Sequence, residues 1–393
     1  MKRPCPVCGG LRSRRLFSQV FEKFYAAGPI DGYDVVVCEA CGAGFADQIP
    51  EQAVLDAYYR DFSKYEYAHR GGQGSKYDDL RFRQAAATML PHIPGKKSRV
   101  LEIGCATGQL LSLLKERGYE NVQGVDPSPA CTKAAWDLYG IPVQAHSIFD
   151  IPKPDLPFDF LILTGVLEHI RDLDLAVEAL RELLRPGGKG FLAVPDAASF
   201  SHNIDAPFQE FSVEHLNFFS ATSLRNLMRV RQFRWIAGGP LSHEPSRGTR
   251  CFSLYGVFEN VSPECQPIVR DEETEPGLSA YIRKCQNLDE QLRATIARAT
   301  AGGRRILVWG TGTHTLRLLV TGGLANANIA AFVDSNSKYV GQQLHGIPVV
   351  SPDALAARQE PILISSFAAQ HEIERIIREK LGLKNELILL YDI

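Results

Sequence analysis

From residue 99 onward, apolar runs closed by glycine alternate with stretches of helical spacing. The run 99–103 predicts a buried parallel strand. A tight turn carrying Gly104 and Gly108 follows it. Leu110, Leu111, Leu113 and Leu114 then share the buried side of a helix that Gly118 can stop. A second strand runs to Asp126, a short third strand leads into 143–150, and 158–164 is a fourth. A helix ending near Leu183, a Pro186-Gly187-Gly188 turn and a strand to Pro195 come next. Ser220 can cap a helix beginning near Thr222, and 233–237 with 251–258 predict a hairpin. After a polar linker, 261–275, a helix over 278–300 ends at Gly302-Gly303. The plan then repeats: strand 305–309, loop, helix 315–320, strand 329–334, and later strands at 362–365 and 386–390. Upstream, 34–38 is strand-like and 75–90 reads as a helix ended by Pro91 and Pro94. The fold class is α/β.

The unit ending at Asp126 is a β-α-β motif with a glycine loop and an acid at the tip of its second strand. Glycines let a ligand approach the backbone, and a carboxylate accepts hydrogen bonds from ribose hydroxyls. A dinucleotide fingerprint would need glycine at 106 and 109, where the chain has Ala106 and Gln109. The pattern Glu102-x-Gly104-x-Ala106-x-Gly108 instead resembles motif I of class I S-adenosylmethionine (SAM) methyltransferases. Leu167-Glu168-His169 after the fourth strand, and Pro186-Gly187-Gly188 before the fifth, resemble that family's later motifs in order. The resemblance implies a loop at Glu102, Gly104 and Gly108 around the amino-acid end of SAM, with Asp126 on the ribose. It also implies Ser147 at the adenine amino group, where members often carry an acid, with Ile148 packed on the ring. Thr164 and Gly165 fall at a strand end where a ligand crevice is expected. His169 either takes part in catalysis or orients its loop.

A chain of 393 residues, 45% apolar, suits two or three domains. A net charge of −2 gives no basic field for nucleic acid. With no apolar h-region and no membrane-length run, a soluble cytoplasmic protein is expected. The nine cysteines then read as thiols or metal ligands. Cys5-x-x-Cys8 and Cys38-x-x-Cys41 place four sulfurs where they can surround a tetrahedral Zn²⁺. A site closed by four thiolates is structural. Tyr58, Tyr59, Tyr65 and Tyr67 cluster before a glycine-rich turn, either to cover a ligand or to pack two modules together.

Glu214-His215-x-x-Phe218-Phe219-Ser220 lies beyond the fifth strand. An imidazole there is a natural general base, unless it only holds the loop. His243 and Arg247 fall in the hairpin loop. Zinc knuckles, a tyrosine-rich segment, a SAM domain and a C-terminal Rossmann-like unit, in that order, resemble the nucleotide-sugar C-methyltransferases. That resemblance implies His215 as base with Glu214 beside it, Tyr65 or Tyr67 donating to an enolate, and a nucleoside-diphosphate keto-deoxysugar as substrate. Ser212 stands where that family carries tyrosine, and Gly310-Thr-Gly312-Thr-His314 replaces its usual C-terminal loop. An O-methyltransferase acting on a sugar or natural-product hydroxyl is the alternative. The expected modules are an N-terminal zinc-binding module (1–50), a helical tyrosine-rich segment (51–95), the SAM domain (96–260), linker and helix (261–300), and a C-terminal Rossmann-like domain (301–393). The last is either a nucleotide-binding or a structural unit.

Overall fold

The computed structural model describes residues 2–24, 28–62, 74–261 and 267–392. The chain opens with an antiparallel meander: β1 (Ser13–Val20), β2 (Gly32–Cys38) and β3 (Gly44–Asp47). Cys38 and Cys41 sit on the turn between β2 and β3. Gly42 adopts φ +83° there, and a Cβ on it would meet the Asp271 carbonyl at 2.0 Å, so only glycine fits. Helices α1 (Gln52–Phe62) and α2 (Lys76–Met89) follow. Ser75 and Asp78 form a reciprocal capping box at the start of α2.

The central domain runs β4 (Val100–Ile103), α3 (Gln109–Glu116), β5 (Val122–Asp126), α4 (Pro129–Tyr139), β6 (Val143–Ala145), β7 (Phe158–Thr164), α5 (Leu173–Leu183) and β8 (Leu184–Pro195). A short β9 (Asn217–Phe218), α6 (Ala221–Val230) and the hairpin β10 (Phe233–His243) and β11 (Cys251–Asn260) complete it. The sheet order is β10-β11-β8-β7-β4-β5-β6, parallel from β8 to β6. The chain turns outward in opposite directions from β4, so the switch point lies between β4 and β7. Open α/β sheets bind ligands at such a point.

The C-terminal part comprises the long α7 (Thr274–Ala299), β12 (Arg305–Trp309), α8 (Thr313–Thr321), β13 (Asn328–Val333), β14 (Gln343–Leu344), β15 (Ile347–Val350), β16 (Ile362–Ile364), α9 (Gln370–Arg375) and β17 (Leu387–Leu389). Its sheet order is β14-β15-β13-β12-β16-β17, and only β14 pairs antiparallel.

Three features depart from the expected layout. β9 pairs with β3, so a segment of the central domain completes the first sheet. One apolar cluster joins Phe21 and Val35 of the meander to Phe211 and Phe218, then to Leu278 and Tyr281 of α7, then to Leu316 and Phe332. The boundaries near 50 and 300 therefore cut through shared core. The reason is visible in α7, which buries Leu278, Tyr281, Ile282 and Cys285 at helical spacing against neighbours on both sides. The polar stretch 261–275 is also more than a linker among its described residues. Asp271 is buried, its N–H donates to the Cys41 carbonyl at 2.8 Å, and its carboxylate accepts from Ser220 Oγ at 2.7 Å and Thr274 Oγ1 at 2.6 Å. Finally, the hairpin ladder runs from Phe233↔Asn260 to His243↔Cys251, so His243 ends a strand and leaves Arg247 in the loop. No helix among the described residues is long and apolar enough to cross a membrane.

Candidate active site

A cleft of about 1030 Å³, counted out to the solvent, opens at the carboxyl edge of β4, β5 and β7. Its floor is the loop after β4. Gly104 has φ +72°, and a Cβ there would press on Val166 at 2.7 Å. Ala106 also adopts a positive φ, +47°, which suits the glycine that most motif I loops carry at this place. Asp126 holds the loop in shape. Its Oδ2 accepts from Ala106 N–H at 2.9 Å and its Oδ1 from Ser128 N–H at 3.0 Å. Burial raises its pKa, against those two hydrogen bonds. The Cys131 thiol hydrogen-bonds to the carboxylate as well.

Of the residues assigned to the cofactor from the sequence, Gly104, Asp126, Ser147, Ile148 and Thr164 line this cleft. Ser147 Oγ donates to Asp150 at 2.8 Å and accepts from Phe149 N–H at 3.3 Å. Glu102 and Gly108 stand outside the lining. Gly108 opens α3 with φ +76°, packed against Ala135 and Ile141. Glu102 is buried beneath the loop, with Thr164 Oγ1 at 3.4 Å from one oxygen and no partner on the other. Burial pushes its carboxyl well above the usual range.

The far wall comes from α1, which contributes Gln52, Asp56, Tyr58 and Tyr59. Tyr58 hydroxyl donates to Glu214 Oε1 at 3.3 Å, and the Tyr59 ring lies 6.0 Å from that of His169. The first two tyrosines of the cluster thus cover the cleft. Tyr65 and Tyr67 lie outside the described residues.

At the remaining corner, buried Glu168 and two histidines come together. The His169 and His215 rings are 5.0 Å apart, and one ligand atom of each of Glu168, His169 and His215 falls within 4.8 Å of the others. His169 lines the cleft with its Nδ1 3.0 Å from the Glu214 carbonyl; since a carbonyl only accepts, Nδ1–H donates. His215 stands behind it, its side chain 20% exposed. Glu214 does not pair with the imidazole beside it. The His215 Nδ1 is 3.2 Å from the carbonyl and 3.6 Å from Oε2 of Glu210, a residue that the motif did not single out. Burial pulls the His215 pKa down, but the hydrogen bond and charge of Glu210, then Glu168 and Glu214, outweigh it and the net shift is upward. Burial raises Glu168 to about 7, against the His215 charge. His243 is lowered to about 4 by burial and Arg81. Ser212 Oγ accepts from the N–H groups of Glu214 and His215 at 3.2 Å each, so it shapes the turn.

The four cysteines of the two knuckles also converge. Cys5 and Cys41 sulfurs are 3.6 Å apart, Cys8 and Cys38 sulfurs 3.5 Å, and all four lie within 4.8 Å of one another. A tetrahedron with Zn–S bonds of about 2.3 Å has edges of about 3.8 Å, so the set fits that ion. Hydrogen bonds from Cys41 and Cys5 drive the Cys38 thiol down, and Cys5 is raised to about 12 in return.

Comparison with known proteins bears on the central and C-terminal parts. Residues 75–237 match the family described as a methyltransferase domain, and residues 302–389 match the one described as C2185-like, N-terminal. A probable S-adenosylmethionine-dependent methyltransferase of Mycolicibacterium smegmatis is 29% identical over 126 residues, 32% of this chain and 49% of that protein. A tRNA U34 carboxymethyltransferase of Cellvibrio japonicus is 25% identical over 208 residues, 49% of this chain and 64% of its own length. The chain thus spans about half to two thirds of these relatives. The N-methyltransferase NodS of Bradyrhizobium japonicum, solved with S-adenosylhomocysteine, is 18% identical with a TM-score of 0.39, covering 50% of this chain and 95% of NodS. Motif I and the later strand motifs fall within the residues that match a methyltransferase domain.

Proposed function

We propose that the protein methylates a carbon beside the ketone of a nucleotide-linked keto-deoxysugar, with His215 as the base. Bound SAM supplies the electrophilic methyl group, carried on a sulfonium. In this reading Gly104 and the loop from Glu102 to Gly108 hold its amino-acid end, Asp126 the ribose, Ser147 and Ile148 the adenine, and Thr164 the edge near the methyl. His215 takes the acidic proton beside the ketone at Nε2. Tyr65 or Tyr67 donates to the enolate oxygen, and Glu214 fixes the cover through Tyr58. The four cysteines hold a structural Zn²⁺, and the C-terminal unit contributes to substrate binding.

The observation that carries this reading is the placement of His215. What supports it is that His215, its basicity raised, stands against His169, which lines the cleft. A base near neutrality is what abstraction from carbon needs. A sugar or natural-product hydroxyl is the second acceptor to consider. Ser212 favours it, because its hydroxyl is taken up by backbone N–H groups and offers no phenol where the C-methyltransferase pattern has one.

Incubating enzyme and keto-sugar nucleotide in D2O, with S-adenosylhomocysteine bound, tests the proposal. Enzyme-dependent deuterium at that carbon, lost in His215→Ala, is expected. A carbon that stays protonated while methyl appears on oxygen replaces C-methylation with the second reading.

A further inference from the structure

We infer that Glu210 is the positioning residue of His215, holding the ring as the Nδ1–H tautomer so that Nε2 is left for proton exchange. Helix α7 in turn fixes Glu210. The inference rests on the reading of His215 as the base. The argument starts from Nδ1. Its two neighbours, the carbonyl of Glu210 at 3.2 Å and Oε2 of the same residue at 3.6 Å, are both acceptors. A carbonyl cannot donate, so Nδ1 carries the proton and Nε2 the lone pair.

The carboxylate is itself held. Asn203 Nδ2 donates to Glu210 Oε1 at 2.6 Å, and Asn203 Oδ1 accepts from Phe252 N–H at 3.0 Å, which fixes the amide's orientation. Asn203 and Glu210 are both buried. The Glu210 carbonyl thus takes the Nδ1 proton, while its carboxylate, 3.6 Å away and held by Asn203, acts on the ring by its charge. Helix α7 holds the segment at three points. Glu210 N–H donates to Tyr281 Oη at 3.0 Å, Phe208 N–H donates to Cys285 Sγ at 3.1 Å, and Lys284 Nζ donates to the Ser201 and Asn203 carbonyls. Glu214, the neighbour that the sequence motif points to, is engaged elsewhere: its side chain accepts from Tyr58 and its carbonyl from His169. Among the described residues, the charged and titratable groups facing His215 are Glu210 and Glu214 on its own segment, and Glu168 and His169 on the turn after β7.

Histidine-labelled full-length protein, without SAM or substrate, provides the test by two-bond ¹H–¹⁵N correlation. The His215 signals are identified by their loss in His215→Gln. In the wild type above the transition, the Nδ1–H pattern is expected. Glu210→Gln should lower the proton affinity of His215 about tenfold, as loss of an adjacent opposite charge does. Glu214→Gln should change it less than about twofold, the small effect of a more distant charge. The Nε2–H tautomer in the wild type, or a shift in Glu214→Gln as large as in Glu210→Gln, overturns the inference. The tautomer is read without any substitution, so it decides even where Glu210→Gln does not fold. Failure of the base reading is separate: it shows as full methyl transfer by His215→Gln with these titrations unchanged.

Discussion

The backbone N–H of Ala106 donates to Oδ2 of Asp126 at 2.9 Å, across the turn that leads into α3. The same device recurs in the C-terminal unit, where Thr311 N–H donates to Asp334 Oδ2 at 3.0 Å. In both, the second oxygen takes the N–H two residues on, Ser128 at 3.0 Å and Asn336 at 2.9 Å. An acid at the tip of the second strand thus shapes the loop after the first strand.

Asp126→Ala therefore removes two things at once. Losing charge-assisted hydrogen bonds to the ribose costs on the order of 2–3 kcal/mol, or roughly 30- to 150-fold in SAM affinity. The loop also loses its anchor at Ala106, so the melting temperature should fall as well. Asp126→Asn keeps one acceptor oxygen and should lie between the wild type and Asp126→Ala. Calorimetric titration with S-adenosylhomocysteine checks both, and unchanged affinity in Asp126→Ala would remove the residue from the cofactor site.

Local pattern carried much of this. The run to Ile103, the leucines of α3 and the glycines at 104 and 108 follow from strand and helix periods and from turn chemistry, all set by near neighbours in sequence. Thiol convergence was legible too, because spacing on two knuckles is itself local. What stayed hidden is what distant segments decide. Nothing near Asp271 announces that it will be buried against Ser220 and Cys41, and nothing in Phe218 announces a partner in β3. Glu210 was legible only as an acid five residues before His215. The loop had to fold back before it could displace Glu214 as the partner.

Metal content tests the knuckles. The purified protein, grown without added metal, should hold about one zinc ion per chain, as a closed four-thiolate site does. Cys38→Ser should lose the metal and destabilise the fold, since ligand loss is folding energy. Asp271 packs on the Cys41 carbonyl, so α7 should loosen with it. Folded, fully active protein with only a small fraction of an equivalent would sink the assignment.

Arg317 and Asp289 form a buried ion pair, 2% and 8% exposed, joining α8 to α7. The Arg317 guanidinium also lies 5.3 Å from the Phe208 ring centre, on the segment that bears Glu210. Removing one partner leaves the other charged and buried, at a cost of about 3–5 kcal/mol. Arg317→Ala should lower the denaturation midpoint accordingly. Cutting the chain after Thr300 is a blunter test, because it strips Leu316 and Phe332 from the shared core. A midpoint for Arg317→Ala within experimental error of the wild type would mean that the pair contributes nothing to docking the C-terminal unit.

Glu168 gives the protein a pH dependence whose sign is fixed by burial. One carboxylate oxygen has no partner, and the group titrates at about 7 in the folded chain. Unfolded, a glutamate titrates at about 4.3. Between those values the folded chain keeps a proton that the unfolded chain releases, so stability falls as pH rises across the window. His215, raised above its ordinary value, acts in the same direction but only from about 6.5 upward. Glu102, Asp205, His243 and His314 also change protonation on folding across this range, so the glutamate is isolated by the difference between wild type and Glu168→Gln rather than by the wild-type curve alone. Glu168→Gln stays neutral throughout and should flatten the decline there, melting higher than the wild type at about pH 8 while matching it near pH 5. The comparison needs only thermal melts of the two proteins across that range. Parallel curves would mean that Glu168 is ionised in the folded state, and His215 would then face a full negative charge from the turn after β7 as well as the one from Glu210.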